Sequence, residues 1–182
     1  TRNNMRISLQ TLFNYAQARK YLPKDHDEPD AVTVPRDRDG GIEIYTPAEL
    51  TEILTCTSEK MLPFVVIGAF AGIRHAEIQR LEWRDIQFEQ GIIEIRGAKA
   101  KTASRRLLPI AENLKAWLLP LRQASGPVCS YRNVSNGIQD ITAAIRKRRA
   151  ESGSQEKFVW KHNALRHLFC SYRLAEVKSA AQ

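Results

Sequence analysis

Residues 71–86 read Ala71-Gly72-Ile73-Arg74-His75-Ala76-Glu77-Ile78-Gln79-Arg80-Leu81-Glu82-Trp83-Arg84-Asp85-Ile86, and the fold turns on how this stretch is read. The run before it, Leu62 to Phe70, is apolar on all sides, as a central buried helix must be, and Gly72 is placed to end that helix in a left-handed cap. Arg74 to Leu81 predicts a further short helix with Ile78 and Leu81 inward. Arg74 then opens a helix, where free backbone N–H groups and the positive dipole end favour an anion, so it can join them in gripping a phosphate. Glu77, one turn on, is spaced to hold its guanidinium; a plain surface ion pair within the helix is the competing reading.

Upstream, Thr46-Pro47-Ala48-Glu49 combines a capping hydroxyl, a proline at the first helical position and a glutamate at the third. It predicts a helix to about Thr57 with Leu50, Ile53 and Leu54 inward. Ile7 to Arg19 carries Leu9, Leu12, Phe13 and Ala16 at helical spacing and predicts a helix ending near Tyr21-Leu22-Pro23. Between these two helices, Pro29, Pro35, a glycine pair and many acidic residues mark a linker.

Downstream of Trp83 the period changes. Ile86-Gln87-Phe88, a turn at Glu89-Gln90-Gly91, Ile92 to Ile95 and Leu107 to Ile110 predict three strands of a small antiparallel sheet. Helices resume at Glu112 to Leu121, with Leu114, Trp117 and Leu118 inward, and at Val134 to Arg149, with Ile138, Ile141 and Ile145 inward. A last helix begins near Asn163, with Leu165, Leu168, Phe169 and Tyr172 on its core face. The fold class is therefore mainly α with a small three-stranded antiparallel β-sheet, an α+β arrangement.

Composition narrows the class of partner. The chain has 182 residues, enough for one domain and a short appendage, and its 43% hydrophobic and 26% charged content is that of a globular protein. No apolar run approaches the roughly 18 residues that span a bilayer. Thr1-Arg2-Asn3-Asn4 has neither an initiator Met nor a signal-peptide stretch, so the chain reads as an excised piece of a cytoplasmic protein. Cys56, Cys129 and Cys170 are widely spaced and read as free thiols in a reducing compartment, small hydrophobes rather than ligands. A net charge of +8 points to a polyanion, since Lys and Arg that neutralise phosphates release counterions.

Two more segments carry chemistry. The hairpin Arg96 to Arg106 holds five cations (Arg96, Lys99, Lys101, Arg105 and Arg106) and no acid, so it can lie against a DNA backbone; a solvated basic turn is the alternative. In Lys161-His162-Asn163-Ala164-Leu165-Arg166-His167, Asn163 is spaced to cap the last helix and Arg166 lies in its first turn.

Taken together and in this order, the Ala71–Ile86 pattern, the hairpin with Lys101-Thr102 and the Leu165-Arg166-His167 triplet resemble the tyrosine recombinase family, the lambda-type integrases. The resemblance covers essentially the whole chain. It implies an integrase-like catalytic domain truncated at its C-terminus: residues 1–23 would be the last helix of an otherwise missing core-binding domain, 24–43 a linker, and 44–182 a catalytic domain without its tyrosine segment. It implies that Arg74 and Arg166 stabilise the scissile phosphate and that a hairpin lysine protonates the leaving 5′ oxygen. Lys101, by its Thr neighbour, best matches that lysine, with Lys99 as the other candidate. Physically, fixed guanidinium groups meet the charge that a phosphorane gathers, and the departing alkoxide needs a proton. Neither a metal nor another cofactor is implied. Double-stranded DNA is the implied partner, with four protomers assembling on it, and the implied role is integration or excision of a mobile element.

Two departures stand out. The family histidine three residues before the second arginine is Asn163 here, with His162 one place earlier; asparagine donates hydrogen bonds but is no general base near neutral pH. His167 is read as structural support of the site and His75 as a helix-surface residue. Only sixteen residues follow Arg166, and none of Tyr15, Tyr21, Tyr45, Tyr131 and Tyr172 stands where the family's nucleophile does, so the fragment is expected not to cleave DNA. A non-catalytic DNA-binding relative is the alternative. A type IB topoisomerase would share the chemistry but not the junction with a core-binding helix, and an unrelated RNA-binding protein would leave the ordered arginines accidental.

Overall fold

A computed structural model of the chain describes residues 2–23, 25–26, 43–96, 105–131 and 133–180. The chain divides into two compact units, Thr1–Gly41 and Ile42–Gln182. In the first, α1 (Arg2–Ala18) ends where Lys20 takes a left-handed φ of 61°, and the chain folds back so that His26 stacks on Phe13 at 5.2 Å. The Gln17 amide donates to the His26 carbonyl at 2.7 Å and holds that return. The linker expected at 24–43 lies almost wholly outside the described residues.

The second unit is built around α3 (Leu62–Ala71), whose residues Pro63 to Ala69 are all buried. Each Val, Ile or Phe buried there contributes about 1.5–3 kcal/mol of transfer free energy, so the rest of the unit is arranged to cover every side of this helix. Helix α2 (Pro47–Cys56) enters through the expected box: Thr46 Oγ1 accepts from the Glu49 N–H at 3.2 Å, and Glu49 accepts from the Thr46 N–H at 2.7 Å. Ile53 is its fully buried residue. Helix α4 (His75–Ile78) is a single turn, shorter than the expected Arg74–Leu81, because the chain must bend at Leu81 to Trp83 to meet residues 126–128. There the Val128 N–H donates to the Leu81 carbonyl at 2.9 Å and the Trp83 N–H to the Gly126 carbonyl at 3.0 Å.

The sheet has the order β1 (Ile86–Gln87), β2 (Ile92–Ile95), β3 (Arg106–Pro109), antiparallel throughout, with Ile86 opposite Ile93 and Ile95 opposite Arg106. Period-2 alternation sends Ile93 and Ile95 into the core and leaves Ile92 and Glu94 half-buried. Helix α5 (Glu112–Leu118) buries Leu114 and Leu118, but Trp117 is 39% exposed, against the inward position expected. Leu114 and Leu118 already fill the face turned to α3, and Trp117 falls at its margin. Helix α6 (Val134–Glu151) packs on α2 with Ile141 and Ile145 buried and Ile138 partly so. The architecture is mainly α with a three-stranded antiparallel sheet.

The last helix, α7 (Ala164–Ala180), lies along α3. Gly68 permits this: a Cβ there would come within 3.2 Å of the Leu165 side chain. Gly72 closes α3 with φ 61°, and a Cβ on it would overlap the Phe169 ring. Ala164, Leu165 and Leu168 are buried, whereas Tyr172, expected inward, is 49% exposed because α7 outruns the helix it packs on. Of the cysteines, Cys129 is buried, Cys56 half-buried and Cys170 exposed, so the small-hydrophobe reading fails for Cys170, which lies on the outer side of α7.

Gly72→Ala is expected to cost more than about 2 kcal/mol of unfolding free energy, since left-handed strain and the ring overlap add. Gly153→Ala, at φ 75° in open space, carries only the first of these. Urea unfolding of the two variants followed by tryptophan fluorescence checks this, and equal losses would show that the Phe169 contact does not matter.

Candidate active site

The site is assembled where the chain leaves α3 and where it enters α7. Arg74 stands immediately before α4 with extended backbone, 59% exposed at its side chain. The Arg166 guanidinium donates from Nη1 to the carbonyl of Gly72, in a short hydrogen bond. Two arginines far apart in sequence thus converge on the three residues Gly72-Ile73-Arg74. A helix N-terminus adds little, because α4 is one turn long and the Arg74 N–H is already spent on Glu77 at 3.1 Å. Side chains rather than backbone donors make up the positive face.

Glu77 ties this face to the hairpin. Its carboxylate accepts from the Arg74 N–H, from Arg74 Nη1 at 3.3 Å and from Arg106 Nη2 at 2.6 Å. Burial pushes the Glu77 carboxyl up, but the bonds from Arg74 and Arg106 outweigh it and hold the group below the ordinary glutamate value. The hairpin, which holds no acid of its own, meets acids supplied from outside it. Arg105 pairs with Glu94 at 2.9 Å, and Arg96 lies 3.1 Å from Asp85 and 3.6 Å from Glu94. Arg96 and Arg105 remain more than half exposed, with their guanidinium edges open to a further partner. Lys99 and Lys101 lie outside the described residues.

On the other side, Tyr45 and Lys161 organise the approach to α7, and neither stood out in the sequence. Tyr45 is fully buried, between Phe158 and Trp160, and its hydroxyl oxygen accepts from the Lys161 N–H at 2.8 Å. Burial pushes the Tyr45 phenol up to about 12. The Lys161 ammonium bonds Glu49 at 2.9 Å and the Ile44 carbonyl at 3.1 Å and sits 5.1 Å above the Tyr45 ring. Single-sequence spacing holds no trace of contacts between residues so far apart. Pinned in this way, the chain turns through Asn163 at φ 56°, whose carbonyl receives the His167 N–H at 3.0 Å, the first bond of α7. His162 and Asn163 are exposed and His167 is half-buried.

His75, read as a surface residue, is half-buried. Its ring meets Phe64 edge-on at 4.9 Å, and it lines a cavity of about 30 Å³ together with Asn163 and Arg166, over a floor that includes Ile73 and Ile78. Burial, and then the nearby His162, hold the His75 imidazole below its ordinary value. Among the described residues no group of three or more His, Cys, Asp or Glu side chains is arranged to hold a metal ion, and no helix is long and apolar enough to cross a membrane.

A mostly helical body with a three-stranded antiparallel sheet is an integrase-like catalytic-domain fold. Solved structures of recombinases and integrases share it. XerA recombinase matches with a TM-score of 0.56 and 18% identity over 94% of this chain and 69% of its own. The Tn1549 transposon integrase, in complex with circular intermediate DNA, matches with a TM-score of 0.57 and 21% identity over 96% of this chain and 66% of its own. A substituted form of that integrase, also with circular intermediate DNA, reaches a TM-score of 0.62 at 22% identity over the same shares. The chain spans about two thirds of the length of these structures. No protein-family model matches the sequence, and no curated protein matches it.

Glu77→Gln keeps the shape and removes the charge shared by Arg74 and Arg106, at an expected cost of about 1–2 kcal/mol near neutral pH. A carboxylate depressed in the folded state stabilises above its unfolded pKa, and that contribution is lost as pH falls through the folded one. The gap between wild type and Glu77→Gln should therefore close toward acid pH in denaturant titrations; a constant gap would show that charge pairing is not its source.

Proposed function

We propose that this chain is the phosphate-gripping part of a DNA strand transferase of the tyrosine-recombinase type, its residues 1–23 and 44–182 belonging to a core-binding and a catalytic domain joined by the linker 24–43. The observation that carries the reading is the Arg166 guanidinium lying on the Gly72 carbonyl, which draws the second arginine to the loop that presents the first. Arg74 and Arg166 take the non-bridging oxygens of the scissile phosphate, with Glu77 fixing Arg74 and His167 supporting the start of α7. Lys101, or Lys99, protonates the leaving 5′ oxygen. Asn163 donates to phosphate in place of an imidazole, or His162 swings in to supply one.

In the parent protein a tyrosine attacks the phosphate, forms a 3′-phosphotyrosyl link and frees a 5′ hydroxyl; the hydroxyl of a partner strand reverses the step. Arg96 and Arg105 reach the DNA backbone from their ion pairs, while Arg106 acts as a brace against Glu77. Four protomers on double-stranded DNA, acting in integration or excision of a mobile element, follow from the same reading. Asn163 favours a second reading, a relative that binds DNA without cutting it.

Fluorescence anisotropy with a 30-bp labelled duplex tests the shared part of both readings. Affinity should fall steeply with salt, and Arg74→Ala or Arg166→Ala should weaken binding by about 1–2 kcal/mol each. Absent or salt-insensitive binding would sink the proposal. Trapping on a nicked suicide substrate, with a parent form that includes the tyrosine, separates enzyme from binder: either arginine variant should abolish the covalent complex. A wild-type yield of trapped complex in either variant would refute the roles assigned here, and binding without any trapping would favour the second reading.

A further inference from the structure

The arginines of the proposed site stay charged at every physiological pH, so neither can register a change of pH there. One ring that can do so lines the cavity beside Arg166. We propose that His75 belongs to the phosphate site, its imidazole meeting a phosphate oxygen held between Arg74 and Arg166, so that binding of a DNA phosphate is coupled to uptake of a proton by this ring. The inference rests on the DNA reading above and adds a residue and a proton to it.

Three observations support the placement. His75 shares its cavity with Arg166 and Asn163, although it comes from α4 and they come from the start of α7. Phe64 meets the ring edge-on and fixes its plane without using either nitrogen in a hydrogen bond. His162 is near enough for its charge to oppose charge on His75.

The surrounding charges decide the sign. On its own element His75 has Arg74 and Glu77, and the Glu77 carboxylate is already shared by Arg74 and Arg106. From the approach to α7, Lys161 and Arg166 line the cavity and His162 lies near the ring, while α3 contributes Phe64 and Gly68. Unbound, the ring faces cations and partial burial, both of which favour the neutral form. A phosphate seated between the arginines reverses the local field and favours the imidazolium. By linkage, a ligand that raises the ring's proton affinity binds more tightly as pH falls.

Proton–carbon NMR of the four histidine rings, titrated between about pH 5 and 8.5 in the whole chain with and without a 30-bp duplex, tests this directly. His75→Gln identifies the ring signal. The His75 midpoint should start below the ordinary value of about 6.5 and rise by about one unit when duplex is added. His162→Gln should raise the midpoint of the free chain, since a repelling charge has gone. In anisotropy, His75→Gln should lose most of the gain in affinity that wild type shows on acidification; should that variant not fold, the wild-type titration still decides. A duplex that binds while the His75 midpoint stays fixed would overturn the inference and leave the DNA reading intact, and a rise confined to His162 would overturn it equally. No duplex binding at any salt would remove both.

Discussion

Helix α3 has no polar side, and the rest of the second unit follows from that. A helix apolar all round must be covered on every face, and α2, α5 and α7 do so. Coverage by α7 requires the close approach at Gly68, which brings Leu165 onto α3 and sets the next residue, Arg166, beside the carbonyl of Gly72. Gly72 is where α3 must stop, and Arg74 is the second residue after that stop. The placing of Arg166 near the segment that carries Arg74 is therefore a by-product of burying one helix. The same packing that stabilises the core fixes the candidate site, without a loop ordered for that purpose.

Carboxylates do for the cations what α3 does for the core. Glu77, Glu94, Asp85 and Glu49 each hold one or more of the basic side chains around the site. Partly exposed ion pairs of this kind each add only about 1 kcal/mol to stability. Their effect is positional. A guanidinium held by one carboxylate has lost much of its rotamer freedom before a phosphate arrives, so less entropy remains to be lost on binding. Glu77 does this for Arg74 and Arg106 together, which ties the base of the hairpin to the residue that opens α4.

Sequence made the local signals legible and hid the non-local ones. The Thr46 capping box, the Gly72 stop, the three strands and the apolar stripes of α3 and α6 are all set by neighbours within a few residues, so spacing alone reveals them. Tyr172 was misplaced for a different reason. Spacing reports which side of a helix is apolar but not how far its partner extends: α3 has 10 residues and α7 has 17, about 15 Å against about 25 Å of axis, so the second half of α7 overhangs. Leu174 and Val177 are exposed on that overhang too. The acidic partners of the hairpin could not be seen within its own eleven residues, because they lie on β2, on α4 and in the turn before β1. Tyr45 and Lys161 escaped notice because a contact across more than a hundred residues leaves no pattern in a single chain.

Asn163 shows how a backbone demand can displace a chemical one. The chain reaches it from Lys161, anchored backward on Tyr45 and Glu49, and must then start α7 with Arg166 directed at Gly72. Both anchors can be met only by a sharp turn, and that turn puts residue 163 at φ 56°, a conformation that asparagine adopts at lower cost than most side chains. A position that the family resemblance marks for an imidazole is thus filled by a residue suited to its torsion angles. An imidazole nevertheless faces the same cavity from α4, one residue beyond Arg74, with the Phe64 ring edge-on against it and with burial and the nearby His162 holding it below its ordinary value. On the reading proposed for His75, the ring that exchanges protons comes from α4 rather than from the start of α7.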